Sequence, residues 1–354
     1  MKVVDIRNVF EKRRIQLFYV DDDFIYYAEE KLQGELSNLY ILEYNRDTRR
    51  ERLVTNYTLE DSSFVQHIFA FEETILLVLE NGSSSIWVVE LDRRSGMELS
   101  RRKLNFTGRF YECKAIDANN IIFTAAPDEK SKGFFKKYKA LTKCDTLAYI
   151  YDIEQDKKSF IRCPLISKVG CDSLFTVKTT EGNKLIILDP WGDEETKLYY
   201  FREQRWISAD IRDNIWICDL DSALLELKNG KENLTVHCVA SADIKGMVRY
   251  AAITDKKLYM KATHFKSGVE KICSYDFESK KIEALAELLP CEDNETYYVE
   301  NRTGQTYKLT IDEDKTLVES MMSDFKGKYK TAFGKFVACI ENRFIITNST
   351  LWGS

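Results

Sequence analysis

The feature that most limits what this chain can fold into is a hairpin that keeps returning. NLYILEYN leads through Arg46-Asp47-Thr48 into RRERLV, and SIWVVELD leads through Arg93-Arg94-Ser95-Gly96 into MELSRRKL. TLAYIYDIE passes through Gln155-Asp156-Lys157 into KSFIRC. KICSYDFE passes through Ser279-Lys280 into KIEALAEL, and TYKLTID through Glu313-Asp314 into KTLVES. Each copy runs from an apolar strand, through an acidic or Asn residue, into a charged tight turn and out along a second strand. A further strand pair precedes most copies, as in VDDDFIYYAEE, AFEETILLVLE, AIDANNIIFTAA and AITDKKLYMKA. That makes four strands per unit, recurring roughly every 35 to 60 residues, and it points to an all-β chain. Helical periodicity is scarce. The clearest helix-like piece is Glu283 to Leu289, and Gly133 to Lys143 predicts one or two turns.

Composition narrows the class. At 354 residues and 44% hydrophobic, the chain can bury a sizeable core and is not a disordered segment. A net charge of -5 argues against a nucleic-acid backbone as main partner. No run approaches the roughly 18 apolar residues of a membrane span. The opening MKVVDIRNVFEKRR lacks the apolar centre of a signal peptide, so a cytoplasmic protein is expected. With only 15 Gly and 4 Pro, turns must be built from Asn, Asp, Lys and Ser. Nine cysteines are scattered without a CxxC pair, most of them in strand-like runs, which predicts reduced, buried thiols.

Four-stranded units repeated in this way resemble the blades of the β-propeller class, including WD40-like and TolB-like proteins. The resemblance covers nearly the whole chain and rests on blade periodicity. It departs from true WD40 repeats, because Trp87, Trp191, Trp206, Trp216 and Trp352 are followed by Val, Gly, Ile, Ile and Gly. Kelch-type Gly signatures are also missing. The resemblance implies a single propeller over residues 1–354, with blades near 17–60, 64–108, 110–166, 172–205, 206–240, 247–289 and 294–322. Seven blades are favoured, with six or eight as alternatives. Residues 330–350 and the N-terminal VVDIRNVF would share a blade and close the ring.

No motif of known chemistry occurs: no P-loop, G-x-G-x-x-G, G-x-S-x-G or H-E-x-x-H. Three histidines (His67, His237, His264) are too few for an imidazole-based metal or catalytic centre, so neither metal nor cofactor is expected. His67 and His237 lie in strand-like runs, whereas His264 sits at a loop. Asp21-Asp22-Asp23 and Asp312-Glu313-Asp314 fit hairpin turns better than cation loops.

Connection lengths are more informative. The connections between second and third strands are the long ones: Glu30 to Ser37, Asn81 to Ser85, Pro127 to Cys144, Pro190 to Thr196 and His264 to Glu270. All would emerge at one end of their sheets, where binding tends to live. The largest, from Pro127 to Asp145, interleaves Phe134, Phe135 and Tyr138 with Lys132, Lys136, Lys137 and Lys139. The expected binding residues are therefore Phe134, Phe135, Lys136, Lys137, Tyr138, Trp191 and His264. The leading expectation is a non-catalytic scaffold that binds a protein or peptide. The rival is an enzyme or a small-molecule, carbohydrate-type binder using the central channel.

Overall fold

The computed structural model describes residues 3–6, 13–20, 23–33, 36–59, 63–81, 84–142, 146–161, 164–189, 215–231, 237–239, 246–264, 269–288, 294–299, 306–312, 315–321, 326–330, 337–340, 343–346 and 350–351. It is mostly β-structure arranged in four-stranded antiparallel sheets. Sheet 1 runs Arg14–Val20, Phe24–Gln33, Leu36–Asn45, Arg50–Leu59. Sheet 2 runs Ser63–Ala70, Thr74–Asn81, Ser85–Asp92, Glu98–Asn105. Sheet 3 runs Arg109–Ala115, Asn120–Ala126, Leu147–Asp152, Lys157–Ile161. Sheet 4 runs Leu174–Thr179, Gly182–Leu188, Ile215–Asp219, His237–Val239. Sheet 5 runs Gly246–Ile253, Lys257–His264, Glu270–Asp276, Ile282–Leu288. Sheet 6 runs Glu295–Val299, Thr306–Ile311, Lys315–Ser320, Lys326–Lys330. In each of these, strand order follows chain order. Three α-helices occur among the described residues, α1 (Lys132–Thr142), α2 (Pro164–Val169) and α3 (Leu220–Lys228), with a short 3-10 turn over Cys171–Ser173. No helix there is long and apolar enough to cross a membrane.

Both ends of the chain meet in one place. Val3–Asp5 pairs in parallel with Arg343–Ile346, which pairs antiparallel with Val337–Ile340. Thr350–Leu351 adds a parallel fifth strand beside Arg14–Val20. By contacts the chain divides into two units, residues 1–110 with 307–354, and residues 111–306.

Side-chain alternation shows why the sheets stack. In the first unit Tyr26 and Ala28 join Ile41, Leu77 and Val89 in a core shared by sheets 1 and 2. The intervening Ile25 and Tyr27 join Ile15 and Leu42 on the opposite face. In the second unit Leu185 and Ile187 pack with Ile150 and Ile161 of sheet 3, whereas Ile186 and Leu188 pack with Val248, Leu258 and Met260 of sheet 5. A strand buried on both faces must be apolar throughout, which is how these strands read. Four cysteines, Cys113, Cys171, Cys218 and Cys273, are buried.

The recurring Asn or Asp has a defined task. Asn45, Asp92, Asp152 and Asp276 each end a third strand. Each accepts, on its side chain, the N–H three residues on: Thr48 at 2.8 Å, Ser95 at 2.7 Å, Gln155 at 3.0 Å and Ser279 at 2.7 Å. The next residue turns the chain with positive φ: Arg49 (56°), Gly96 (74°), Asp156 (48°) and Lys280 (58°). The residue after each Asn or Asp donates its own N–H to the turn between the first and second strands. These bonds are Arg46 to Asp23 (2.7 Å), Arg93 to Glu73 (2.8 Å), Ile153 to Asn119 (2.8 Å) and Phe277 to Lys256 (2.9 Å). Two turns at one end of sheets 1, 2, 3 and 5 are thus tied together.

Several expectations change. Ile282–Leu288, read in part as helix-like, is a strand paired along Glu270–Asp276. A helix that short is marginal alone, whereas a neighbouring strand satisfies its backbone. Where the sequence predicts one or two turns over Gly133 to Lys143, the described part forms the 11-residue helix Lys132–Thr142; Lys143 lies outside the described residues. Residues 172–240, expected to hold two blades, show one sheet in their described part, and the division expected there falls on residues 190–214, outside the described residues. Thr306–Ile311 and Lys315–Ser320 are second and third strands, so their hairpin turns at the opposite end from the other four. Strands extend to Gln33 and resume at Leu36, so the first of the long connections is short.

A polar latch joins sheets 1 and 2. Arg52 donates to Glu43 through Nε (3.2 Å) and Nη2 (3.1 Å), and through Nη2 to the Arg93 carbonyl (2.8 Å). Arg93 donates to the Tyr26 hydroxyl (3.0 Å) and the Phe71 carbonyl (2.8 Å), and Tyr26 donates to Glu43. Arg52→Ala would leave the buried Glu43 carboxylate without its cation. The expected loss is about 2–3 kcal/mol, less than for a fully buried pair because the Arg52 side chain is 35% exposed. Urea unfolding reads this, and an unchanged midpoint would contradict the latch. Gly96 lies so close to sheet 1 that a Cβ would stand 2.5 Å from the Val54 carbonyl oxygen. Gly96→Ala should therefore lower the thermal midpoint, at a cost above about 1 kcal/mol.

Candidate interaction site

The largest insertion begins where sheet 3 leaves its second strand. Asp128 and Ser131 start the helix: the Asp128 carboxylate accepts the Ser131 N–H at 2.7 Å, and the Ser131 hydroxyl accepts the Asp128 N–H at 3.0 Å. Asp128 thus caps the turn that leads into α1, and Ser131, three residues on, satisfies the Asp128 N–H in return. Helical phase then sorts the side chains. Phe135 and Tyr138, three apart, are 5% and 8% exposed, whereas Phe134 is 49% exposed. Lys132, Gly133, Lys136, Lys137, Lys139 and Ala140 are exposed as well.

The buried side is anchored on sheet 3. The Tyr138 ring meets Phe160 edge-on at 5.6 Å, and Phe160 meets Tyr149 in the same way at 5.6 Å. Phe160 and Tyr149 are cross-strand partners on one face of the sheet. Lys158 lies over the Tyr149 ring at 4.9 Å, and its burial lowers its pKa from the ordinary lysine value. Phe134 stacks on Tyr138 with centroids 6.3 Å apart and rings 11° from parallel. An aromatic series therefore runs from the sheet face to solvent and ends on Phe134. Sequence reading missed Phe160 and Tyr149 as the platform, although their period-two spacing in the YIYD and KKSFI strands carried the signal.

The helix thus brings together five of the expected binding residues. Phe134, Lys136 and Lys137 face outward, and Phe135 and Tyr138 hold the helix down. Trp191 lies outside the described residues. His264 ends the second strand of sheet 5, paired with Gly246, so it occupies the same topological end of its sheet as α1 does of sheet 3.

Buried charge elsewhere is committed to structure. The four buried carboxylates among the described residues each meet a cation: Glu29 with Arg13 (2.5 Å), Glu43 with Arg52 (3.1 Å), Asp152 with Lys228 (2.5 Å) and Asp189 with Lys168 (2.7 Å). Burial works against Asp152, yet the bond from Lys228 and the Gln155 N–H hold its pKa below the usual carboxylate value. Among the described residues no group of three or more His, Cys, Asp or Glu is arranged to hold a metal ion.

Glu112 is different. Its Oε2 accepts the Cys171 N–H at 2.7 Å beside Gly170, where φ is 80° and a Cβ would stand 2.5 Å from that oxygen. Burial pushes the Glu112 pKa up, the Cys171 N–H pulls it down, and nearby Asp172 pushes it up again; the net shift is upward. Its favourable contribution is therefore full below the unfolded glutamate pKa and is lost as pH rises through the folded-state value. Glu112→Gln keeps an oxygen for the Cys171 N–H. It should gain stability relative to the parent between about pH 4 and about pH 7. Denaturant melts at both pH values check this; a gap that shrinks with rising pH contradicts it.

No protein-family model and no curated protein matches the chain. Among solved structures, an uncharacterised Listeria monocytogenes protein, lmo1340, superposes with a TM-score of 0.50 at 11% identity, covering 97% of this chain and 88% of that one. The β-propeller domain of the Trilobed protease from Pyrococcus furiosus gives 0.47 at 12% identity, covering 90% and 84%. An oligogalacturonate lyase from Vibrio parahaemolyticus gives 0.46 at 12%, covering 91% and 77%. At 11% identity the Listeria likeness is one of fold. The four-stranded antiparallel meanders place this chain in the propeller-like all-β class.

Proposed function

We propose that this protein is a non-catalytic β-propeller scaffold that binds a protein or peptide partner through the end of its sheets carrying α1. In this reading the chain is one seven-bladed propeller that works in the cytoplasm, and the second strand of sheet 5 that ends at His264 belongs to the same binding end. The observation that carries the proposal is Phe134, a large aromatic held half in solvent on a helix whose other aromatics are buried against sheet 3. A helix that served only to cover the sheet would need Phe135 and Tyr138 but not Phe134. The pairing of Glu29, Glu43, Asp152 and Asp189, the most buried carboxylates described, with cations favours this reading over an enzyme with free acid and base groups.

The test uses the full chain. Phe134→Ala should keep the parental thermal midpoint and lose a partner that the parent captures. Phe135→Ala should instead destabilise the fold by about 3 kcal/mol, as for a buried aromatic. A Phe134→Ala protein that captures the same proteins as the parent would refute the assignment.

A further inference from the structure

We propose that the partner of α1 is an acidic peptide segment carrying one large apolar side chain, which completes the aromatic stack on Phe134. This inference rests on α1 as the docking element and adds the chemistry of what docks.

The charge argument is local. The chain carries 57 acidic against 52 basic residues, yet Lys132–Thr142 contains four lysines and no carboxylate. Lys132 is held by Glu129 at 2.5 Å. Lys136 and Lys137, both exposed, make no ion pair or hydrogen bond among the described residues. Two adjacent cations on an acidic molecule attract an anionic segment at long range and fix its register at short range.

The apolar argument is geometric. The Phe134 ring runs nearly parallel to Tyr138 with centroids 6.3 Å apart, meets Phe135 edge-on at 6.0 Å, and leaves half of the residue open to water. Covering such a ring with a partner's aromatic or aliphatic side chain buries apolar area where an anchor residue is most effective. Helical phase places Gly133, Lys137 and Ala140 in one stripe, with Phe134 and Lys136 on its two flanks. A Cβ added at Gly133 meets nothing within 4 Å. Gly133 and Ala140 keep the helix surface low on either side of Lys137, so a backbone can lie beside the Phe134 ring within reach of the Lys136 and Lys137 ammonium groups.

Fluorescence anisotropy with the full-length protein tests this directly. The probes are a labelled Asp/Glu-rich peptide with one central Trp, the same peptide with its acids replaced by Lys, the same peptide with Trp replaced by Ala, and a single-stranded DNA oligonucleotide. The acidic Trp peptide should bind and the other three should bind at least tenfold more weakly. Phe134→Ala and the pair Lys136→Glu with Lys137→Glu should each weaken it about tenfold, equivalent to about 1.4 kcal/mol. Raising salt from about 0.05 M to about 0.5 M should weaken it further. Gly133→Leu, which adds bulk into open space, should block binding while leaving the thermal midpoint intact.

Absence of binding by the acidic peptide, equal binding of the Lys peptide, or tighter binding of the oligonucleotide would overturn the proposal. A natural partner that is lost on Phe134→Ala but tolerates the Lys136 and Lys137 reversals would remove the acidic partner and leave α1 as a docking site. A partner indifferent to all of these changes would remove both.

Discussion

One backbone hydrogen bond, repeated, holds these sheets in shape. The residue that opens the turn after each third strand gives its N–H to the turn between the first and second strands, in sheets 1, 2, 3 and 5. A four-stranded meander has three independent connections, and each could slip its register by two residues without exposing its apolar face. Tying the first turn to the third fixes both at once. The side chain of Asn45, Asp92, Asp152 or Asp276 makes that possible, because it satisfies the turn's inner N–H and leaves the outer one free to reach across. With the ends locked, strands such as Thr74–Asn81 can be apolar on both faces and still pair in one way.

The same signal has a second outcome in sheet 4. Asp219 also ends a third strand, and its side chain also accepts the N–H three residues on, from Ser222 at 2.9 Å. Here the chain continues as α3 instead of turning back. Leu220, Ala223, Leu224 and Leu227 fall on one helical face and are buried with sheets 3 and 4. The hairpins were legible in the sequence because an Asn or Asp followed by a charged turn residue has few alternatives. Asp219 was not, since an Asx turn and a helix N-cap begin with the same hydrogen bond. Only the apolar spacing that follows tells them apart. Ile282–Leu288 misleads in the other direction: Ala, Glu and Leu favour helix locally, but a neighbouring strand's unpaired edge decides.

The candidate site was legible in composition and not in orientation. Alternating Phe, Tyr and Lys residues identified the segment, but a loop and a helix distribute those side chains differently. Once Ser131 and Asp128 nucleate α1, positions 135 and 138 must face one way and 134 and 137 another. Burial then follows from what lies beneath, the Tyr149–Phe160 pair, which no local pattern around α1 reveals. The helix is therefore a projecting element on a rigid support, with its fixed and free aromatics adjacent in sequence.

The turn-to-turn bond is the claim on which the scaffold rests, and amide hydrogen exchange of the native protein reads it residue by residue. The account predicts that Arg46, Arg93, Ile153 and Phe277 exchange as slowly as central strand amides, although they sit in turns flanked by exposed residues. Exchange of these four amides at the rate of their unbonded turn neighbours would contradict it.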